Sequence, residues 1–349
     1  MKKHMKMTAA LSVAAIMAAF AAGCGSSSTE TAADTSAKTE AADSSGEAEN
    51  GSEGGETSDG TTYRIGLLQY VQHDALDKCR DGFIAALDAS GISYELDDQN
   101  AAGDTPTCTT IAQKFVNDGD DLIFAIATPA AQACAAETED IPIVLTAVTD
   151  PAASGLVDTN EQPGGNVTGS SDLTPVADQI GLLKQIFPDA QTVGILYCSA
   201  ESNSEIQAQM ARDACEAAGM TAVDYTVATS NDIQTVVESM VGNVDVIYTP
   251  TDNIIAAGMP TVAMIANANG LPTIVGEEGM CTAGGLATYT IDYEELGRIA
   301  GEMAVEILTE GTSPADMPIE YYPSDKLRLV VNEDTAAELG VDVSGLEME

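Results

Sequence analysis

Two groups of residues in this chain carry the chemical groups needed to bind the opposite charges of a small zwitterion. The first group is rich in hydroxyls and in backbone amides that open helices, and it consists of Gln69, Tyr70, Thr128, Pro129, Ala130, Ala147, Thr149 and Asp150. The second group is rich in carboxylate and amide side chains, and it consists of Tyr197, Asn203, Thr251, Asp252, Asn253 and Glu277. Hydroxyls and free amides suit a carboxylate, whereas buried acids suit an ammonium. Together the two groups predict a ligand such as an amino acid.

The first group is centred on the turn at Thr128. The apolar run from Leu122 to Ala127 is typical of a strand that is buried on both faces of a parallel sheet. Thr128 is a favoured N-cap residue and Pro129 a favoured first helical residue, so a helix is predicted to begin here. A helix N-terminus at the end of a strand favours an anion. The alternative is a well-capped strand–helix unit that holds no ligand.

Asp252 is the residue of the second group most suited to an ammonium. A carboxylate that is removed from water in a cleft needs a cationic partner. The alternative is that Asp252 only caps the helix that follows it, and for Glu277 the alternative is a solvated loop. We expect replacement of Asp252 with alanine to weaken ligand binding more than replacement of Glu278.

Other polar residues have more ordinary alternatives. Tyr70 and Tyr197 could stack on an apolar part of the ligand, although tyrosines at strand ends often lie at the rim of a core. Asp150 could line the cleft, but an Asp-Pro pair is also common in turns. His73 is expected at the cleft rim or at the entry of a helix. We expect no catalytic residue among them.

Strands and helices alternate along residues 62–349 in two series. This pattern predicts an α/β fold with two doubly wound parallel-sheet lobes. The first lobe is expected to contain residues 62–172 plus 291–312, and the second residues 173–290 plus 313–349. Open parallel sheets bind ligands at the carboxyl ends of their strands. The two polar groups should therefore face a cleft between the lobes.

The N-terminal residues predict an exported protein that is held by a lipid. Three lysines and a short apolar stretch are typical of a signal peptide over residues 1–24, and the small residues before Cys24 resemble the lipobox of bacterial lipoproteins. In lipoproteins this cysteine carries the lipid. An ordinary signal peptide with a chance cysteine is the alternative. Residues 25–61 have almost no large apolar side chain and are predicted to form a flexible tether.

Charge and cysteine spacing narrow the range of partners. The formal net charge of −42 argues against nucleic-acid partners and against electrostatic adhesion to anionic lipid, and it fits an extracytoplasmic monomer. Apart from Cys24 there are six cysteines, without a CxxC pair or metal-ligand spacing. We interpret them as structural thiols, with one disulfide as an open alternative. No metal and no other cofactor is expected.

The sequence also lacks the motifs of common α/β enzymes. It contains no G-x-S-x-G nucleophile elbow, no G-x-x-x-x-G-K-S/T phosphate loop, and no G-x-G-x-x-G after the first strand. A histidine-based triad would rest on His73 alone. A carrier is therefore favoured over an enzyme. A lipoprotein that senses a ligand and presents its bound state to a membrane receptor remains the alternative.

Five stretches resemble one known family over essentially all of residues 62–322. They are GLLQYVQH at 66–73, IATPAAQ at 126–132, VLTAVTDP at 144–151, PGGNVTG at 163–169 and YTPTDN at 248–253. These stretches resemble the substrate-binding lipoproteins of ABC transporters whose studied members bind tryptophan or related aromatic amino acids. The resemblance implies a type I periplasmic-binding-protein fold that closes on its ligand and delivers it to a membrane permease and ATPase. It also implies that Thr128 and the amides after it hold the ligand's carboxylate with help from Thr149, and that Asp252 holds the ammonium.

Overall fold

A computed structural model of the chain describes residues 60–346. The predicted signal peptide, Cys24 and nearly all of the predicted tether lie outside the described residues. The first series of elements is β1 (Thr62–Gln69), α1 (Asp74–Ser90), β2 (Ser93–Asn100), α2 (Thr105–Asp118), β3 (Leu122–Ile126), α3 (Thr128–Glu137), β4 (Ile143–Thr146) and β5 (Val167–Ser171).

The second series begins directly after β5. It consists of α4 (Val176–Ile186), β6 (Thr192–Cys198), α5 (Ser202–Ala217), β7 (Thr221–Val227), α6 (Ile233–Met240), β8 (Val246–Thr249), α7 (Asn253–Ala268), β9 (Thr273–Val275), α8 (Glu278–Thr282) and β10 (Ala287–Thr290). The chain ends with α9 (Tyr293–Glu310), β11 (Glu320–Tyr321), β12 (Arg328–Val331) and α10 (Glu333–Leu339).

The strands form two six-stranded sheets, one in each lobe, as predicted. The first has the order β11-β5-β4-β3-β1-β2, and the second the order β12-β10-β9-β8-β6-β7. All pairs are parallel except β10 with β12. In each sheet the strand order reverses beside the first strand of its series, and such switch points open a crevice at the carboxyl ends of the strands.

The last crossover between the lobes lies later in the chain than the sequence predicted. Residues 313–349 were assigned to the second lobe, but Glu320 and Tyr321 pair with Ser170 and Ser171 in the first sheet. The chain therefore leaves the first lobe after β11. A two-residue strand carries too little hydrophobic pattern to reveal its partner from sequence.

Helix α9 packs closely on α1 in the first lobe. A side chain on Gly297 would overlap the backbone carbonyl of Cys79, so the two helix backbones are in contact at this point. Phe83 of α1 in turn stacks on Phe124 of β3, with ring centroids 3.6 Å apart. This packing fixes the N-terminus of α9, with Tyr293, over the same edge of the sheet as the N-terminus of α1.

Three helices have features that a local sequence pattern does not show. Helix α7 begins at Asn253 and continues through Pro260, so a proline lies inside a continuous helix. Helices α8 and α10 have five and seven residues, which is too short to show a period of 3.6.

The six cysteines of the described part are buried free thiols. This agrees with their interpretation as small hydrophobic residues, and the alternative of a disulfide is not realised. Within residues 60–346, no helix has the length and apolar character needed to span a bilayer.

Candidate functional site

A narrow pocket lies between the two lobes. It is lined by His73, Ala75, Leu76, Ala147, Asp172, Asn203, Thr251, Asp252, Asn253, Ala256, Glu277 and Tyr293. The free space among these side chains is about 10 Å³, which is about the room that one water molecule needs. An amino acid can therefore enter only when the lobes move apart.

Each polar lining residue stands where a strand ends or a helix begins. In the first lobe, His73 precedes α1, Asp172 follows β5 and Tyr293 opens α9. In the second lobe, Asp252 lies between β8 and α7, and Glu277 between β9 and α8. The carboxyl ends of both sheets therefore meet at this pocket, as the doubly wound pattern predicted.

The pocket brings together part of the predicted site. Its lining includes six predicted residues, namely Ala147, Asn203, Thr251, Asp252, Asn253 and Glu277. Eight predicted residues do not line it, namely Gln69, Tyr70, Thr128, Pro129, Ala130, Thr149, Asp150 and Tyr197. The lining also includes residues that the sequence did not single out as ligand contacts, namely His73, Ala75, Leu76, Asp172, Ala256 and Tyr293.

Several of the eight have other partners. The Tyr70 hydroxyl donates to the Gly103 carbonyl at 3.0 Å, and the Tyr197 hydroxyl donates to Glu205 at 2.8 Å. Gln69 donates to Asp77 at 2.7 Å. The Asp150 carboxylate accepts from the amide of Ala153 and from Asn160, which is the turn role weighed above. These contacts hold the loops around the pocket.

The turn at Thr128 differs from the prediction in one detail. The N-cap of α3 is Ala127, with φ 83° and ψ 154°, and Thr128 is the first helical residue. Ala147, at the end of β4, also has a positive φ of 53°. Non-glycine residues adopt such angles at a cost of about 1–3 kcal/mol, and such strain clusters at binding sites. The Thr128 hydroxyl is buried and has no hydrogen-bond partner within the described part of the chain.

Asp252 caps α7 and also joins it to the rest of the second lobe. Its Oδ1 accepts from the Ile255 amide at 2.8 Å. Its Oδ2 accepts from the Cys198 amide at 2.5 Å and from the Ser204 hydroxyl at 2.7 Å. The capping role that we weighed as the alternative is therefore present. Burial raises the pKa of Asp252.

Glu201 is a second buried acid beside Asp252, and sequence reasoning missed it. Three N–H groups converge on its carboxylate, from Asn203, Asn253 and the Ile254 amide. Burial raises the pKa of Glu201, and the nearby negative charge of Asp252 raises it further. Glu201 lies between β6 and α5, and the other candidate residues also lie between a strand and the helix that follows it. This position was the signal that could have identified it.

Glu277 is buried and is not part of a solvated loop. Only 3% of its surface is exposed. Its carboxylate accepts from the amides of Gly279 and Met280 and so caps α8. Burial raises the pKa of Glu277 to about 7, in spite of the amides and Lys78, which lower it. The Glu277 carboxyl group therefore changes its protonation state near neutral pH.

Asp172 faces the pocket from the first lobe. It accepts hydrogen bonds from Thr149 and from the Tyr293 hydroxyl, both at 3.3 Å. Burial raises the pKa of Asp172 to about 6. Thr149 in turn accepts from Gln207 of the second lobe at 3.1 Å, so it supports Asp172 and joins the lobes. Asp172 directly follows the buried strand β5, so its position at a strand end was the signal that could have found it.

His73 lines the pocket at the entry of α1, which agrees with its predicted position. Its Nε2 lies 3.3 Å from Oδ1 of Asn253 in the other lobe. Its Nδ1 is buried without a hydrogen-bond partner among the described residues. Burial lowers the pKa of His73, so the imidazole is neutral over a wider pH range than a histidine in water.

The pocket is rich in hydrogen-bond acceptors and negative charge. Asp172, Asp252 and Glu277 are among the residues that line it, whereas none of the described lining residues is lysine or arginine. Oδ1 of Asn203 is a further buried acceptor without a partner in the described part. A set of this kind fits a ligand that brings a cation and N–H or O–H donors. No group of three or more metal-ligating side chains occurs within residues 60–346.

The chain forms two α/β lobes whose strand ends carry polar groups that face a shared pocket. This is the architecture of a solute-binding protein. Residues 64–345 match the ABC transporter substrate binding protein family. The chain is 44% identical over 279 residues to the tyrosine-binding protein of Clostridioides difficile (strain R20291), covering 79% of this chain and 80% of that protein. The chain therefore belongs to the family of ABC transporter substrate-binding proteins.

Two solved structures are particularly informative. The ABC domain from Streptococcus pneumonia in complex with L-Trp is 37% identical, with a TM-score of 0.78 over 81% of this chain and 96% of that one. A ligand-free, open substrate-binding protein with adhesive properties from Clostridium difficile is 45% identical. Its TM-score is 0.61, and the match covers 80% of this chain and 95% of that one. The TM-score is thus higher for the complex than for the open relative, although the open relative is more similar in sequence.

These similarities confirm the type I periplasmic-binding-protein fold and the prediction of a carrier. The protein is an extracytoplasmic solute-binding protein that serves an ABC transporter. Its partners are a small-molecule ligand and the membrane components of that transporter.

Proposed function

We propose that the pocket between the lobes binds an aromatic α-amino acid. The observation that carries this proposal is the set of buried carboxylates in a pocket whose described lining contains no lysine or arginine. An ammonium ion neutralises such a set, and binding proteins of the same family from two other organisms hold tyrosine or L-Trp. Apolar lining by Ala75, Leu76 and Ala256 suits the ring of the ligand.

In this proposal the ammonium lies between the acids of the two lobes. Asp172 of the first lobe accepts from the Tyr293 hydroxyl, and Glu277 of the second lobe lines the same pocket. An ammonium shared by these acids would hold the lobes together, because it would attract both at once. Asp252 was expected to contact the ammonium, but its carboxylate oxygens already accept three hydrogen bonds. Its role in this proposal is to add negative charge to the pocket.

The carboxylate of the ligand is assigned to the N-terminus of α3. The free amides of its first turn and the unpartnered Thr128 hydroxyl are groups that suit an anion. Thr128 does not line the pocket in the present arrangement, so this assignment requires the bound ligand to widen the pocket towards α3.

Calorimetric titration tests the ligand class. The described residues 60–346 lie within one compact unit, and we refer to the range 56–349 as the binding unit. We expect L-tyrosine, L-tryptophan or L-phenylalanine to bind it with a Kd in the micromolar range or below, which corresponds to about −8 kcal/mol. N-acetyl-L-tyrosine, which lacks the ammonium, should bind at least 100-fold more weakly. Binding of the acetylated compound with equal affinity, or of none of the amino acids, would refute the proposal.

We further propose that Cys24 anchors the protein to the outer face of the cell membrane through a lipid, with residues 25–61 as the tether and the binding unit as a monomer. The support is the positive and apolar N-terminal segment with small residues before Cys24. Replacement of Cys24 with alanine should move the protein from the membrane fraction to the soluble fraction of expressing cells. If the variant stays with the membrane like the wild type, Cys24 is not the anchor.

A further inference from the structure

His73 presents an unused hydrogen-bond acceptor to the pocket. Its Nε2 faces Oδ1 of Asn253, which can only accept, so Nε2 must carry the proton of a neutral imidazole. The other ring nitrogen, Nδ1, then has a free lone pair. Because Nδ1 is buried without a partner in the described part of the protein, leaving it unpaired costs free energy.

The orientation of Asn253 fixes this tautomer. The amide nitrogen of Asn253 donates to Oε2 of Glu201. Glu201 is held in turn by the Ile254 amide and by Asn203, which both donate to it. With its nitrogen turned towards Glu201, Asn253 must point its oxygen at His73. The chain of contacts from Glu201 through Asn253 to His73 therefore crosses from the second lobe to the first.

We propose that His73 is a ligand-binding residue whose Nδ1 accepts a hydrogen bond from an N–H or O–H group of the bound amino acid. This inference rests on the proposed function. When the lobes are closed, Asn253 of the second lobe reaches Nε2 of His73, and Nδ1 is left as the hydrogen-bond acceptor. The low pKa of His73, caused by burial, keeps the ring neutral for this role. A protonated ring would offer a donor and a positive charge beside the ammonium, and both are unfavourable.

The charged groups around His73 agree with this role. Asp74 and Asp77 on its own helix favour the protonated ring, but burial outweighs them. Across the cleft stand Asn253 and Glu201, and Asp172 and Glu277 share the pocket. The uncharged acceptor thus lies in an acidic pocket, where it can discriminate between ligand donors without adding further negative charge.

A purely structural role is the competing explanation, in which Nε2 joins the lobes and Nδ1 is incidental. Two conservative substitutions separate these roles. In His73→Asn the amide can place an acceptor near the position of Nδ1 but cannot reach Asn253. In His73→Gln the amide can donate to Asn253 from near the position of Nε2 but has no acceptor at Nδ1.

The test is calorimetric titration of the wild-type binding unit and both variants with L-tyrosine and L-tryptophan. We expect His73→Gln to lose about 10- to 100-fold in affinity, the cost of one hydrogen bond to a charged or buried donor. His73→Asn should retain affinity within about 5-fold of the wild type. The reverse order, or no loss in either variant, would overturn the inference while leaving the ligand class intact. Absence of binding by the wild type would overturn the proposed function, and this inference with it.

Discussion

Replacing Asp252 with alanine is expected to lower the free energy of unfolding by about 3–5 kcal/mol. The change removes the N-cap of α7 and leaves the amides of Cys198 and Ile255 and the Ser204 hydroxyl without their acceptor. Each buried group that loses its partner costs about 1–3 kcal/mol, and part of this is offset because a buried carboxylate is no longer removed from water. Urea denaturation of the binding unit measures the difference.

Asp104→Ala is the matched control for this prediction. Asp104 caps α2 by accepting from the Thr107 amide at 2.9 Å, but it is exposed and lies away from the pocket. Loss of such a cap costs about 1 kcal/mol. If Asp252→Ala were no more destabilising than Asp104→Ala, Asp252 would not hold the second lobe together as its hydrogen bonds indicate.

The affinity for the amino acid is expected to fall about 10- to 100-fold between pH 8 and pH 5. An ammonium is attracted by ionised carboxylates, and burial raises the pKa of Asp172 to about 6 and that of Glu277 to about 7. At pH 8 both acids are ionised and ready for the ligand. Below these pKa values a proton must leave before the ammonium can pair, so each pH unit costs affinity. Calorimetric titrations at pH 5, 6, 7 and 8 measure the effect.

The pH dependence of stability should have the opposite sign to that of affinity. The contribution of these two acids to the free energy of unfolding of the ligand-free binding unit should fall as the pH rises. The pKa of each acid is higher in the folded state than in the unfolded chain, where it is about 4. The stabilising contribution of each acid is therefore fully present below about pH 4. It is lost as the pH rises through about 6 for Asp172 and about 7 for Glu277. For Glu277 the loss is about 3 kcal/mol.

Glu277→Gln separates this effect from the general repulsion within a very acidic protein. The variant should have a flatter pH dependence of both affinity and stability than the wild type, because one of the two titrating groups is gone. An affinity that is constant from pH 5 to pH 8 in the wild type would mean that the ammonium does not pair with these acids.

The sequence predicted the fold well where the pattern is long and regular. The alternation of strands and helices predicted two lobes with parallel sheets, and both are present. The apolar run from Leu122 to Ala127 predicted a buried strand, and β3 spans Leu122–Ile126. The two-residue β11 was placed in the wrong lobe, because its pairing with β5 depends on a crossover that no local pattern encodes.

The site was only partly predictable for a similar reason. Asp252 and Glu277 follow buried strands and were found by that rule. Asp172 also follows a buried strand, β5, and was missed although the same rule applies to it. Tyr293 opens a helix of the C-terminal return, so only the folded chain brings it to the pocket. The N-cap at Thr128 was misplaced by one residue, since Ala127 adopts a positive φ that propensity rules do not anticipate.

A crystal structure of the binding unit grown with L-tyrosine tests the central claim most directly. We predict electron density for one amino acid between the lobes, with its ammonium within hydrogen-bond distance of Asp172 or Glu277 and its ring against Leu76 and Ala256. Density for the amino acid elsewhere on the molecule, or an ammonium that faces no carboxylate in this pocket, would contradict it.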